Sequence, residues 1–412
     1  MKKNQIFTRN IIYFYISFFS AGAVNIIPQL FYNRYYPEQK GLLLSITLIL
    51  SSLAAIFGIV VSGKLLGKVN RSIFSMFWVF VFGFCFSIFT QNAILFIIMI
   101  VFASFACNFI YNYSDHFFLN GTPHDSLEQH IKAVLIYQML GYMLSPIFFS
   151  VFGYKQMLSI GIVLLMALII AYLSFPYVKL GFQTVKESKA DVFVREDKSL
   201  SCREILFVAY SLSFMMVEMI ALSSMVYILS DYYKLTDFGV KSGIVMLEIL
   251  ILSGLTVVLM RPNKKLIDVK SSIENEFLLF NPWINLFSVI LFMVTVIMLA
   301  LRLDNSFQYI MLAVAPAGPA YGLFLKISRS YASNIDMKNG RTILLSVYNN
   351  IQNISGAVGY CIVLLCWLIA NYYKLDYLKL TIAAIFSMLI VSIILIALWV
   401  VSLKREKAKL SI

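Results

Sequence analysis

The chain reads as an all-α membrane protein with twelve transmembrane helices in two six-helix bundles. Three observations carry that reading. Twelve long apolar runs, separated by short loops, fill nearly all of the 412 residues. The composition is 60% hydrophobic and only 13% charged, more apolar surface than a soluble core of this length could hide. The basic residues gather in alternate loops. A run of roughly 20 apolar residues crosses a bilayer core as a helix. Only helices or closed barrels satisfy their backbone groups there.

The spans fall at about 10–33, 41–63, 72–90, 93–118, 131–152, 157–178, 204–230, 239–260, 280–301, 307–326, 342–371 and 377–402. Span one begins after Lys2 and Lys3 and contains Ala21-Gly22-Ala23, which gives it the look of a signal peptide. Its apolar run continues to Phe31, and cleavage would break the even count of spans, so it is read as a helix that stays. It carries Asn25 and Gln29 with Pro28 between them. Span four carries Asn108 and Asn112, four apart and so on one face, with Asp115 near its inner end. Span five carries Gly141 and Pro146.

The longest hydrophilic interval, 179–203, divides the spans six and six. It makes residues 1–178 one bundle and 204–412 the other, joined by a cytoplasmic linker. Span seven has Glu218 near its centre, and span eight has Glu248. Span ten contains Pro316 and Pro319, which remove two backbone donors and should kink or loosen the helix. Gly318 and Gly322 beside them let another helix approach closely. Span eleven holds Asn349, Asn350, Gln352 and Asn353, amides that need partners in hydrocarbon.

With the N-terminus inside, 25 of the 33 Lys and Arg residues lie in inner segments, a bias of about three to one. Both termini are then cytoplasmic in a multi-pass protein of the plasma or inner membrane. In this count Lys326 and Arg329 belong to the inner loop after span ten. The net charge of +13 is a topology signal in this distribution, not a nucleic-acid footprint. The five cysteines show neither a disulfide framework nor zinc spacing.

Entering spans five and eleven, the chain reads HIKAVLIYQMLGYMLSP and GRTILLSVYNNIQNISGAVGY. Each has a base at the helix start (Lys132, Arg341), then apolar residues, then an amide-and-Gly stretch, as parallel repeats would. The loop between spans two and three carries Gly63, Lys68 and Arg71 in the spacing Gly-x-x-x-Asp-Arg-x-Gly-Arg-Arg, with Gly67 at the Asp position. Span five keeps Gly141 and Pro146, with Ser145, of the pattern Gly-x-x-x-Gly-Pro-x-x-Gly-Gly; Phe149 and Ser150 replace its last glycines. In these features and in its six-plus-six layout the chain resembles the major facilitator superfamily. That resemblance implies a central cavity lined by helices one, four, seven and ten. It also implies a latch between Arg71 and Asp115 that holds the outward-open state. The family's helix-four Arg is absent.

Carboxylates within a membrane are costly and mark function or a specific partner. Glu218 can carry a proton or face a cation, or it can make a structural hydrogen bond to a neighbouring helix. Glu248 is a second coupling carboxylate or a packing contact. Asn25, Gln29, Asn108 and Asn112 can bind substrate or join helices, and Gly141, Pro146, Pro316 and Pro319 suit a gate. Phe14, Phe18, Met215 and Met216 suit an apolar cavity wall. His116, His124 and His130 lie with Asp115 and Asp125 in one short connection, without a metal-binding motif. No phosphate loop or dinucleotide fingerprint is present, so no cofactor is expected.

The expectation is therefore a secondary transporter, not an enzyme, that works by alternating access on a small-molecule substrate. Proton-coupled export of an amphipathic molecule by a monomer leads. Nutrient import, lipid- or glycan-carrier flipping, and a membrane-embedded enzyme using the residues at 115–130 are the alternatives.

Overall fold

The computed structural model describes residues 3–20, 27–65, 78–79, 81–83, 90–120, 127–152, 200–235, 238–260, 273–339 and 343–410. Among them the fold is helical, with no strand. Among the described residues, seven helical segments are long and apolar enough to cross a membrane: Gly41–Ser62, Ala93–Ser114, Cys202–Ala221, Glu276–Leu301, Phe307–Asp336, Val347–Tyr373 and Tyr377–Arg405. The protein is thus a multi-pass, all-α membrane protein. Spans three and six lie largely or wholly outside the described residues.

The chain divides into two compact units, Met1–Thr122 with Tyr137–Val194, and Pro123–Ile136 with Arg195–Ile412. The first contains α1 (Lys3–Ser20), α2 (Ile27–Tyr35), α3 (Lys40–Leu65), α4 (Ala93–Asn120) and most of α5 (Leu127–Phe152). Helix α4 starts where Asn92 Oδ1 accepts the N–H groups of Ile94 and Leu95 at 2.9 and 3.1 Å, which caps two otherwise orphan donors. It lies close against α3, because a Cβ at Gly58 would strike the Phe105 carbonyl. Ser104 Oγ donates to the Ser51 carbonyl at 2.7 Å across the same seam. Phe31 of α2 stacks on Phe96 of α4 at 3.8 Å, and the Tyr32 and Thr47 hydroxyls meet at 2.5 Å.

The second unit contains α6 (Cys202–Tyr227), α7 (Phe238–Leu259), α8 (Ile273–Phe280), α9 (Pro282–Leu301), α10 (Phe307–Val314), α11 (Ala317–Asn339), α12 (Ile343–Tyr373) and α13 (Tyr377–Leu410). A capping box opens α6: Ser201 Oγ accepts the Glu204 N–H, and Glu204 accepts the Ser201 N–H at 2.8 Å. Its far end widens into a π-helical turn, Ile228–Tyr232. Span ten is two helices, because Pro316 cannot donate to Leu312 and Pro319 cannot donate to Ala315. The break predicted from those prolines is present as a turn at 315–316.

Span ten also runs further than its sequence suggested. Helix α11 continues through Lys326 and Arg329 to Asn339, and those two side chains are only 4% and 2% exposed. They are buried helix residues and not loop charges. At its end Asp336 accepts the N–H groups of Leu344 and Leu345 at 3.1 and 2.7 Å, so α11 caps the start of α12.

Hydrogen bonds tie α6 to two neighbours. Ser355 of α12 donates to the Leu212 carbonyl at 3.1 Å. Ser213 donates to the Met388 carbonyl of α13 at 2.8 Å and receives Ser392 at 2.9 Å. Between α6 and α11 lies an aromatic layer instead. Phe214 stacks on Phe324 at 4.4 Å and Phe207 meets Tyr331 at 4.6 Å, while Trp399 of α13 stacks on Phe280 at 4.1 Å.

Candidate functional site

The strongest concentration of unusual chemistry surrounds Glu218. It lies in the middle of α6, where Met215, Met216 and Val217 are also buried, and it is 7% exposed. The Tyr321 hydroxyl of α11 donates to its carboxyl group. Oxygen Oε2 of the same carboxyl is buried and has no hydrogen-bond partner in the protein. Tyr360 of α12 stands within electrostatic reach of that carboxyl, and its hydroxyl points at Met219 Sδ, 3.7 Å away. Three helices therefore converge on one acid. The arrangement can hold a proton, because a carboxyl with one phenol donor and one unmatched oxygen tolerates either protonation state better than a carboxylate in hydrocarbon.

Position in the helices explains the meeting. Glu218 precedes a glycine-mediated contact between α6 and α12: a Cβ at Gly359 would touch Met219 and Ile220. Tyr321 lies between Gly318 and Gly322, and both glycines bring α11 onto the backbone of α7. A Cβ on either would meet the carbonyl of Ile249 or of Ser253. The close approach expected of these glycines is thus realised against α7, and Tyr321 is held on the adjacent face of α11, toward α6.

Glu248 of α7 is half-buried, and its Oε2 also has no hydrogen-bond partner in the protein. In the first unit Asn112 is fully buried. Its amide donates to Ser62 Oγ at 2.8 Å and to the Ile59 carbonyl at 3.3 Å, so it clips α4 to α3. Asn108 donates to the Ser104 carbonyl one turn back at 3.0 Å. Gly141 lets α5 rest on the α1 backbone at Phe14 and Phe18, whose rings stack at 6.2 Å. Pro316 lies in the turn that separates α10 from α11, and Pro319 lies in the first turn of α11. Asn25 and Arg71 lie outside the described residues, and so do the side chains of Gln29, Gly63, Asp115 and Pro146. The proposed latch falls among them.

Two features were missed in the sequence. One is the pair of tyrosines on Glu218, which come from helices far along the chain. The other is an ionic cluster at the Cys202 end of α6. There Arg203 Nη1 lies 2.8 Å from Glu276 Oε2, and Tyr331 donates to Glu276 Oε1 at 3.0 Å. The heptad spacing Glu204, Ser211, Glu218 was a legible signal for a polar line along α6. At the opposite end of this unit, the Arg302 guanidinium lies over the rings of Tyr232 and Tyr233 at 4.5 and 5.6 Å, a cation–π contact that anchors the turn between α9 and α10.

Comparison with protein-family models and with curated proteins gives no match to this chain.

Proposed function

We propose that the protein is a secondary active transporter of the major facilitator kind, with twelve spans in two bundles of six. It works by alternating access, and Glu218 is its proton carrier. Its favoured activity is exchange of protons for a small amphipathic molecule, outward from the cytoplasm. The observation that carries this reading is the Glu218 carboxyl, buried in a membrane helix with the Tyr321 hydroxyl as donor and Oε2 unmatched. A purely structural acid would be expected to fill both oxygens with partners, because an unpaired buried oxygen is costly. An acid that must gain and lose a proton cannot be saturated with fixed donors.

The test is transport by purified protein in liposomes under an imposed pH gradient, with ethidium as an amphipathic probe. Glu218→Gln mimics the protonated acid and cannot cycle. It should abolish gradient-driven movement and leave probe binding intact. Glu218→Asp should keep partial activity with a shifted pH profile. Full gradient-driven transport by the Gln variant, at normal protein levels, would remove Glu218 from the coupling role.

A further inference from the structure

The unit that does not contain Glu218 carries a polar site of its own, where α1, α4 and α5 meet. Tyr13 of α1 sets its ring edge-on to Tyr111 of α4, centroids 5.9 Å apart, and Gln138 Nε2 of α5 donates to the Tyr111 hydroxyl at 2.9 Å. Cys107 Sγ donates to the Ile16 carbonyl at 3.6 Å, so the numbers rise on α1 as they fall on α4. A Cβ at Gly141 would strike the backbone of Phe14 and Phe18, so α1 and α5 rise together. Helices α4 and α5 are therefore antiparallel, with Tyr111 beside Gln138. One turn further along, Asn108 of α4 and Tyr142 of α5 lie at a common level.

Gln138 is 8% exposed, a costly place for an amide in a membrane helix. Its Nε2 is committed to Tyr111, which fixes the plane of the amide and turns Oε1 the other way. That oxygen takes no hydrogen bond from any described residue, yet it keeps access to the surface of the unit. The amide oxygen of Asn112 is the contrast: it is also unmatched, but it is shut inside the protein and out of reach of any ligand. Asn108, Tyr111 and Tyr142 are each half-buried, so polar side chains of both helices border the opening. From 93 to 114 and from 133 to 152 the two helices carry no charged residue. The amide therefore acts as a neutral acceptor among aromatic rings, held in place before any ligand arrives.

We infer that Gln138, oriented by Tyr111, is a ligand-binding residue, and that its Oε1 accepts an N–H or O–H donor of an aromatic amphipathic molecule seated against α4 and α5. The inference rests on the reading of the protein as a carrier of small amphipathic molecules. It adds the part of the molecule that is recognised: a neutral hydrogen-bond donor on an aromatic frame, met by an amide and by rings.

The probes are ethidium, whose aromatic amines are N–H donors, and the same phenanthridinium without its amino groups. Binding to the purified full-length protein in detergent is measured by equilibrium dialysis, with no pH gradient. Wild type should bind ethidium about fivefold more tightly than the analogue, the ratio expected of one neutral hydrogen bond. Gln138→Met keeps the length of the side chain but has no amide, and should bind both probes with the wild-type affinity for the analogue. Tyr111→Phe releases the amide from its fixed orientation and should cut the preference to about twofold. Leu140→Ala, on the exposed face of α5, should change neither affinity. A preference that survives in Gln138→Met would overturn the site. So would equal affinity of the wild type for the two probes, or failure of the wild type to bind ethidium. Equal weakening of both probes by Gln138→Met would overturn it too, by marking the residue as packing alone. The carrier reading is tested separately: a protein that shows this preference but moves no ethidium under a pH gradient keeps the binding site and loses transport.

Discussion

Replacing Glu276 tests the energetics of the ionic cluster on which α6, α8 and α11 meet. Glu276→Leu leaves the Arg203 guanidinium, 14% exposed, without its carboxylate, and the buried Tyr331 hydroxyl without its acceptor. Removing one partner of a largely buried pair costs about 3–5 kcal/mol, because the remaining charge is uncompensated. An unmet buried donor costs about 1–3 kcal/mol. The two losses overlap, since Glu276 is the shared partner, and about 4 kcal/mol is the working figure. That corresponds to a fall in unfolding midpoint on the order of 10 °C. Glu276→Gln keeps an acceptor for Tyr331 and loses only the charge, so it should fall between. Arg203→Met combined with Glu276→Leu removes both charges and should recover most of the loss. The assay is thermal unfolding in detergent followed by tryptophan fluorescence, to which Trp399 reports locally because it stacks on Phe280. A midpoint for Glu276→Leu within about 2 °C of wild type would refute the argument. So would a double variant whose loss is the sum of the two single losses.

Two other substitutions probe the two sides of α11. Gly322→Ala puts a methyl against the Ser253 carbonyl and Cα and against Thr256 Cβ, and should destabilise by about 1–3 kcal/mol, whereas Leu144→Ala on an exposed face should stay within about 0.5 kcal/mol by the same thermal assay. Tyr321→Phe removes the donor to Glu218 and should destabilise by about 1–2 kcal/mol in the same assay; a loss within about 0.3 kcal/mol would show that the bond contributes nothing to the fold.

What the sequence made legible was mostly local. Apolar runs of the right length marked the helices, the two prolines marked the break in span ten, and Gly318 and Gly322 marked a close helix contact. Each follows from one stretch of chain and a rule of backbone geometry. Span ten shows where that logic stops. Lys326 ended the apolar run, and in hydrocarbon a charge is expensive enough to be read as the start of a loop. The price is set by surroundings that the sequence does not display. Lys326 meets Ser330 Oγ at 3.3 Å inside the unit, and the helix continues. The partners of Glu218 were hidden for a related reason. Tyr321 and Tyr360 are ordinary residues in apolar runs, and only tertiary packing brings their hydroxyls to one acid.

The two sides of α11 differ in kind, and that difference gives Glu218 its leverage under the transport reading. Against α7, Gly318 and Gly322 bring the two helices close, onto the Ile249 and Ser253 carbonyls and the Cβ atoms of Leu252 and Thr256. Close-packed contacts of this sort shift as a unit and do not deform gradually. Against α6, the contact is made by rings and by the hydrogen bond from Tyr321 to Glu218. Rings can slide past one another at small cost, but the hydrogen bond has two strengths, set by the charge on the acid. An ionised Glu218 holds the α6–α11 seam tightly. A protonated one holds it more loosely, by a difference on the order of 1 kcal/mol. That is enough to change the ratio of two conformations several-fold. Under the transport reading, a proton on Glu218 would act on the ring-packed seam, and the glycine-packed seam would carry the resulting movement of α11 to α7.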